Sequence, residues 1–111
     1  MSVKISGEGK LLRIFIDEKD QWRGMPLYKA IMEEVQTHGL AGATVIKGTD
    51  GFGASSRQHA AHRFDSAVES PIIIEIVDSI EYIDRILPSL DKMVTQGLIS
   101  ILDTTIIKYK G

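Results

Sequence analysis

The first regular pattern in the chain has a period of two, which is typical of a β-strand with two different faces. Gly7 and Gly9, just before it, indicate a bulge or a bend in this strand. Within residues 11–16, one face carries Leu12, Ile14 and Ile16, and the other carries Leu11, Arg13 and Phe15. The pattern therefore predicts a strand whose two sides meet different surroundings.

The next pattern has helical spacing and follows a polar link over residues 17–25. Pro26 suits the first position of a helix, because its missing N–H would have no partner there. The apolar residues that follow share one helix face as far as Gly39, and glycine favours the left-handed conformation that ends a helix. Residues 26–39 are therefore predicted to form the first helix and its end.

The rest of the chain predicts two strands, a second helix and a last strand. Residues 43–47 predict a second strand, and residues 71–77 form a nearly continuous apolar run, typical of an internal strand covered on both faces. Asp78 followed by Glu81 fits a capping box, and apolar spacing from Ile80 to Val94 predicts a second helix over 79–96. Pro88 is expected to kink or split this helix. Residues 98–109 predict the last strand, with a break near Asp103.

The predicted order is β-α-β-β-α-β, which favours an α+β, ferredoxin-like fold: one domain over 1–111 with a four-stranded antiparallel sheet and both helices on one face. The other face is then bare. It would carry Leu11, Arg13, Phe15, Ile73, Glu75 and Val77. Apolar side chains on this face would form a patch of roughly several hundred Å², which is more than a soluble monomer usually exposes. We therefore expect a homo-oligomer. Arg13 and Glu75 are expected to pair across or within the interface.

Composition narrows the possible functions. The chain has 111 residues, 13 Lys+Arg and 15 Asp+Glu, so its net charge is −2, which argues against nonspecific binding to nucleic acid. The absence of cysteine excludes a disulfide framework, a thiolate metal site and a cysteine nucleophile. No apolar run approaches the length of a membrane span, and the first residues lack a signal peptide's apolar stretch. We therefore expect a soluble, cytoplasmic protein.

The segment between the second and third strands, about residues 48–70, is much longer than a hairpin needs. Its glycines allow backbone N–H groups to converge on an anion, and its serine and arginine side chains add donors. The candidate ligand-binding residues are Gly51, Phe52, Gly53, Ser55, Ser56, Arg57 and Gln58, with His59, His62 and Arg63 as auxiliary or partner contacts. The alternative is that the glycines form a turn and a serine caps a short helix. Lys47 or Lys108 could also face a cleft near this segment.

Metal binding and catalysis have weaker support in the sequence. His59 and His62 stand at i, i+3 and could bind a transition metal with Asp65, but complete sites normally have three or four ligands, so solvated histidines are favoured. No nucleophile has a recognisable base, so we expect no catalysis. A small enzyme acting at subunit interfaces is an alternative that depends on fold analogy alone.

Several strings together resemble the domain-of-unknown-function 190 family of PII-like proteins over nearly the whole chain. They are the residues of 11–16, 26–28, 39–45, 51–57 and 71–79. The resemblance implies a trimer of ferredoxin-like subunits related to nitrogen-regulatory PII proteins and to CutA proteins. The segment Gly51-Phe52-Gly53, followed by Arg57-Gln58, is similar to the start of the PII loop that contacts partners.

In PII proteins, adenine nucleotides bind in clefts between subunits at the base of that loop. The resemblance therefore implies a non-catalytic regulator with a small anionic ligand, an adenine nucleotide among the candidates, and a protein partner such as a membrane transporter. It does not identify a cofactor. A CutA-like metal-binding trimer is the alternative. The chain departs from PII proteins after the second helix, because residues 96–102 contain no lysine where PII proteins carry a Gly- and Lys-rich turn.

Overall fold

A four-stranded sheet, a two-stranded hairpin and two helices form the part of the protein that the computed structural model describes, residues 4–53 and 70–110. The elements in chain order are β1 (Lys4–Asp17), β2 (Gln21–Trp22), β3 (Met25–Pro26), α1 (Leu27–Thr37), β4 (Thr44–Lys47), β5 (Pro71–Ser79), α2 (Ile80–Met93) and β6 (Leu98–Lys110). The main sheet has the order β4-β5-β1-β6 with antiparallel neighbours, and β2 and β3 form a small separate hairpin. The predicted α+β, ferredoxin-like fold is confirmed.

One face of the main sheet and both helices enclose the core. On β1 and β5 every second side chain is buried in it, namely Leu12, Ile14, Ile16, Ile72, Ile74 and Ile76. The helices contribute Leu27, Ala30, Ile31, Val35, Ile83, Ile86, Leu90 and Met93. Each fully buried Leu, Ile, Val or Met side chain stabilises the fold by roughly 1.5–3 kcal/mol relative to an exposed one. Residues 71–77 are therefore an alternating strand within one chain, although their apolar run predicted burial on both faces.

Both helices begin one residue later than expected. Pro26 ends β3 and precedes the first residue of α1, so it is not the first helical residue. Ser79 precedes α2, and the predicted capping box does not form, because the Asp78 carboxylate accepts hydrogen bonds from the backbone N–H groups of Ala41 and Ser79. The Glu81 carboxylate instead accepts a hydrogen bond from Arg85.

The second helix also differs in its extent and in its buried face. It ends at Met93 rather than near residue 96, and Pro88 lies inside it without splitting it. Ile86 and Met93 are buried, whereas Ile80 is 40% exposed and Val94 lies beyond the helix as its C-cap. The core-facing stripe is therefore rotated relative to the predicted one.

The last strand continues through Asp103 to Lys110, so the expected break is wrong. The register of β1 with β6 shifts instead between Ile5 and Gly7, where two steps along β1 face three steps along β6, from Tyr109 to Ile106. Gly7 has φ 100°. The irregularity therefore lies at one of the two glycines singled out from the sequence, but the strand that carries the extra residue is β6. No helix within residues 4–53 and 70–110 is long and apolar enough to span a bilayer.

Candidate functional site

The sheet face opposite the helices is rich in apolar side chains that nothing in the described part of the chain covers completely. The register places Leu11, Arg13 and Phe15 of β1 beside Ile73, Glu75 and Val77 of β5 and beside Leu98, Ser100 and Leu102 of β6. Val77, Leu98 and Leu102 are 44%, 50% and 52% exposed. We call these nine residues the open face. The six residues from β1 and β5 are those that the sequence predicted, and the three from β6 were not predicted.

An ion pair lies in the middle of the open face. Arg13 and Glu75 are direct cross-strand partners, and the Arg13 Nε donates a hydrogen bond to Glu75 Oε2 at 2.8 Å. Both side chains are partly exposed. The pair therefore forms within one chain and balances the two charges on a surface that is otherwise almost entirely uncharged.

A cavity of about 440 Å³ opens where the open face meets the beginning of β4. We call it the sheet cavity. Its lining comes from the segment before β4, from β4 and β5, and from the end of β6, and the residues are Ala41, Gly42, Ala43, Thr44, Glu75, Val77, Ile106, Lys108 and Tyr109. Functional clefts for small molecules commonly have volumes of roughly 300–1,000 Å³. The sheet cavity is therefore large enough for a small organic ligand.

Two hydrogen bonds fix the irregular wall of the sheet cavity. The backbone N–H of Ala41 donates to Asp78 Oδ2 at 2.7 Å, and the Ala41 carbonyl accepts from the Tyr109 hydroxyl at 3.2 Å. Asp78 is 1% exposed, and its two carboxylate oxygens accept hydrogen bonds from the backbone N–H groups of Ala41 and Ser79. Because buried polar groups are costly to leave unpaired, these two bonds hold the backbone at Ala41 in place.

The charges around the sheet cavity favour an anion. The Glu75 carboxylate is neutralised by Arg13, whereas the Lys108 ammonium has no ion-pair or hydrogen-bond partner among residues 4–53 and 70–110. Thr44 adds a hydroxyl that can donate or accept. A charged ligand group would form its strongest hydrogen bond here with Lys108.

The base of the long segment 48–70 is tied together by backbone hydrogen bonds. The Gly48 N–H donates to the Pro71 carbonyl at 2.8 Å, and the Glu18 N–H donates to the Ser70 carbonyl at 2.8 Å. The Lys47 ammonium pairs with Glu18 Oε2 at 2.8 Å. This hydrogen bond, together with the attraction of the carboxylate, raises the pKa of Lys47 above its ordinary value. Of the two lysines considered for a cleft, Lys108 therefore lines one and Lys47 forms an ion pair with Glu18.

The structure describes three of the predicted ligand-binding residues. The Gly51 N–H donates to Asp50 Oδ1 at 2.8 Å, Phe52 is 98% exposed, and Gly53 has φ 103°, a left-handed conformation. None of these three lines the sheet cavity. The other predicted residues lie outside the described part of the chain: Ser55, Ser56, Arg57, Gln58, His59, His62, Arg63 and Asp65. Their roles remain predictions.

Several cavity residues were not singled out as ligand contacts by the sequence. Thr44 lies directly opposite Glu75 across β4 and β5, so a pairing register would have brought the two together. Tyr109 reaches the cavity through its bond to Ala41, 68 positions earlier in the chain. No local motif signals such contacts, because they depend on how distant strands align.

A metal centre has no support within the described part of the chain. In residues 4–53 and 70–110, no three His, Asp or Glu side chains come together in an arrangement that could hold a metal ion. His38, at the end of α1, places its Nδ1 3.0 Å from the Glu34 carbonyl oxygen. The metal-binding alternative therefore depends entirely on His59, His62 and Asp65, which are outside the described residues.

Comparison with known proteins identifies the family. The sequence profile of DUF190, described as Uncharacterized ACR, COG1993, matches residues 9–106. The chain belongs to the DUF190 family. It is similar to a UPF0166 protein of Methanocaldococcus jannaschii, with 39% identity over 108 residues and 94% of each chain covered. A UPF0166 protein of Aquifex aeolicus is 37% identical over 100 residues, with 88% of this chain and 92% of that protein covered.

The fold of this DUF190 chain also occurs in a solved crystal structure. The protein, from Thermus thermophilus, has a provisional description as a PII-like signalling protein. The two structures align with a TM-score of 0.62 over 91% of each chain at 21% sequence identity. At this identity the likeness shows the fold, so the DUF190 chain has a PII-like, ferredoxin-like fold.

Proposed function

We propose that this DUF190 chain is a non-catalytic, PII-like regulator of the cytoplasm that binds a small anionic ligand and presents segment 48–70 to a protein partner. The observation that carries the proposal is the sheet cavity, in which the Lys108 ammonium lacks a partner among the described residues while Glu75 is paired with Arg13. The cavity lies beside an apolar sheet face, so ligand and subunit contacts would be neighbours.

The open face supports the proposal that the chain self-associates. Leu98 and Leu102 expose about half of their surface, and Val77 and Phe15 lie on the same side of the sheet. Covering this face with the equivalent face of other copies removes apolar surface from water at roughly 25 cal/mol per Å². A closed trimer, which the family resemblance favours, would place the sheet cavity at the subunit seams.

The ligand would combine an anionic group with an apolar or planar part. Lys108 supplies the cation, and Val77 and Ile106 supply apolar wall. An adenine nucleotide has both features and is the first candidate. Ser55, Ser56 and Arg57 would add donors if the long segment closes over the ligand, since serine hydroxyls and guanidinium groups bind phosphate oxygens well.

The same contacts would make the long segment a switch. Its two ends are tied at Gly48 and Ser70, beside β4 and β5. A ligand that contacts one arrangement of the segment more strongly than others shifts the population towards that arrangement. Phe52, almost fully exposed and flanked by glycines, is a suitable anchor for a protein partner, and a membrane transporter is the partner class that the family resemblance favours.

Calorimetry with ATP, ADP, AMP and inorganic phosphate tests the ligand class. At least one should bind with saturable heat, and Lys108→Gln should weaken it about tenfold because a charge-assisted hydrogen bond is lost. Lys110→Gln, two residues along the same strand, is the matched control and should bind as the wild type does. If none of the four compounds gave saturable heat, or if the two variants lost the same affinity, the proposed ligand class would be refuted.

A further inference from the structure

A second cavity, of about 430 Å³, lies on the helical side of the molecule. We call it the helix cavity. It is bounded by the β2–β3 hairpin, α1 and α2, and its charged and aromatic lining consists of Trp22, Arg23, Glu33, Glu34 and Lys92. Ala30 and Met93, both 6% exposed, give it an apolar part. The helix cavity has two cations and two carboxylates in its lining, whereas the sheet cavity has one of each, Lys108 and Glu75.

The charges of the helix cavity do not neutralise one another. Among residues 4–53 and 70–110, neither the Glu33 carboxylate nor the Lys92 ammonium has an ion-pair or hydrogen-bond partner, although both line the same space. The Glu34 Oε1 atom lies 4.0 Å from His38 Nδ1. The Arg23 guanidinium stacks on Trp22, 4.9 Å from the ring centroid, and makes no ion pair within these residues. Opposite charges thus face one cavity without meeting across it, which leaves room for a guest that carries both signs.

The backbone at Arg23 points to a role for its side chain. Arg23 has φ 49° and Gly24 has φ 84°, and these two residues form the tight turn between Trp22 and Met25. Consecutive left-handed residues in a two-residue hairpin favour asparagine followed by glycine. An arginine is a poor choice for the turn itself, so its contribution is the cation that it holds over Trp22.

We propose that the helix cavity binds a zwitterionic small molecule of the α-amino acid class. The ammonium group would lie by Glu33 and Glu34, and the carboxylate would accept hydrogen bonds from Arg23 and Lys92. The side chain of the ligand would contact Trp22 and the apolar part formed with Met93. Charge-assisted hydrogen bonds at both ends would select molecules that carry both charges at this spacing. The site would act independently of the sheet cavity.

Trp22 provides a direct readout, because it is the one tryptophan of the chain. Each L-amino acid other than tryptophan and tyrosine, which fluoresce themselves, is titrated to about 10 mM while tryptophan emission is recorded. Binding of tryptophan and tyrosine is measured by calorimetry up to their solubility. At least one of the twenty should bind saturably. Its amide and its N-acetyl derivative, which lack one charge each, should bind about tenfold more weakly. Absence of saturable binding for all twenty, or derivatives that bind as tightly as the parent amino acid, would overturn the proposal.

Two variants locate the binding. Arg23→Asn suits the turn better and should unfold at or above the wild-type temperature, yet bind the amino acid about tenfold more weakly. Lys92→Gln, at an exposed position of α2, should lose a similar factor. Lys108→Gln, in the sheet cavity, should bind as the wild type does. Wild-type affinity in both Arg23→Asn and Lys92→Gln would overturn the proposal, and this result would not affect the test of the anionic ligand.

Discussion

The carboxylate of Asp78 accepts a hydrogen bond at 2.7 Å from the backbone N–H of Ala41, 37 positions earlier in the chain. The same carboxylate accepts from the N–H of Ser79, at the start of α2. One buried side chain thus joins the beginning of a core helix to the wall of the sheet cavity. The stability of the fold and the shape of the candidate site depend on the same group.

Asp78→Asn should therefore destabilise the protein. An amide keeps one acceptor oxygen but turns an NH₂ group towards a backbone donor, which leaves a buried donor unpaired and costs roughly 1–3 kcal/mol in the free energy of unfolding. Urea denaturation followed by circular dichroism measures the change. Asp91→Asn, at an exposed position of α2, is the control and should stay within about 0.5 kcal/mol of the wild type. Equal effects of the two variants would contradict the role of Asp78.

Gly97→Ala tests why the turn between α2 and β6 contains glycine. Gly97 has φ 146°, and a Cβ there would lie 2.5 Å from the Phe15 carbonyl oxygen and 3.2 Å from a Val94 methyl carbon. Both the conformation and the overlap are unfavourable, so we expect a loss of about 1–3 kcal/mol in thermal unfolding. Gly42→Ala, whose Cβ would have no atom within 4 Å, should be nearly neutral. A neutral Gly97→Ala would mean that this glycine serves something other than packing.

Charge reversal tests the ion pair on the open face. Arg13→Glu and Glu75→Arg each place two like charges opposite one another, and each should weaken self-association, whereas the double reversal should restore part of it. Within one chain the pair contributes less than about 1 kcal/mol, because both side chains are partly exposed. Sedimentation velocity over a concentration series measures the effect. If the double variant associated no more strongly than either single variant, the Arg13–Glu75 pair would not contribute to the contact between subunits.

The pair of Lys47 with Glu18 predicts a pH dependence at the base of the long segment. Its hydrogen bond raises the pKa of Lys47, so folding favours the charged form. This contribution is fully present below the ordinary lysine pKa of about 10.4 and is lost as the pH rises through the higher folded value. The difference in unfolding free energy between wild type and Lys47→Gln should be constant from pH 7 to about 9 and shrink above about 10.4. A difference that grows above that pH would contradict the assignment.

The fold was largely predictable because its local signals agree with one another. Alternation at residues 11–16 identified the buried side of β1, and helical spacing identified both helices. The exact ends of the helices were harder to predict. Asp78 resembled a capping residue, but its carboxylate accepts a hydrogen bond from the N–H of Ala41, which a local pattern cannot reveal. Such tertiary use of a polar side chain overrides the preference of the surrounding sequence.

The candidate site was predictable only in part. The open face and its Arg13–Glu75 pair followed from strand parity, because a period of two fixes which residues share a side. The sheet cavity could not be predicted in this way. It depends on how β4 aligns with β5 and on the contact of Tyr109 with Ala41. The helix cavity depends on the β2–β3 hairpin, whose two-residue turn lies in the stretch 17–25 that the sequence analysis treated only as a polar link.

The central claim is that identical chains cover the open face and bring the sheet cavity to their seams. Sedimentation equilibrium at micromolar concentration tests it most directly, with Leu102→Lys on the open face compared with Asp91→Lys on α2. The wild type and Asp91→Lys should sediment as trimers of the 12.3 kDa chain, and Leu102→Lys should dissociate. A monomeric wild type, or a Leu102→Lys variant that stays trimeric, would contradict the account.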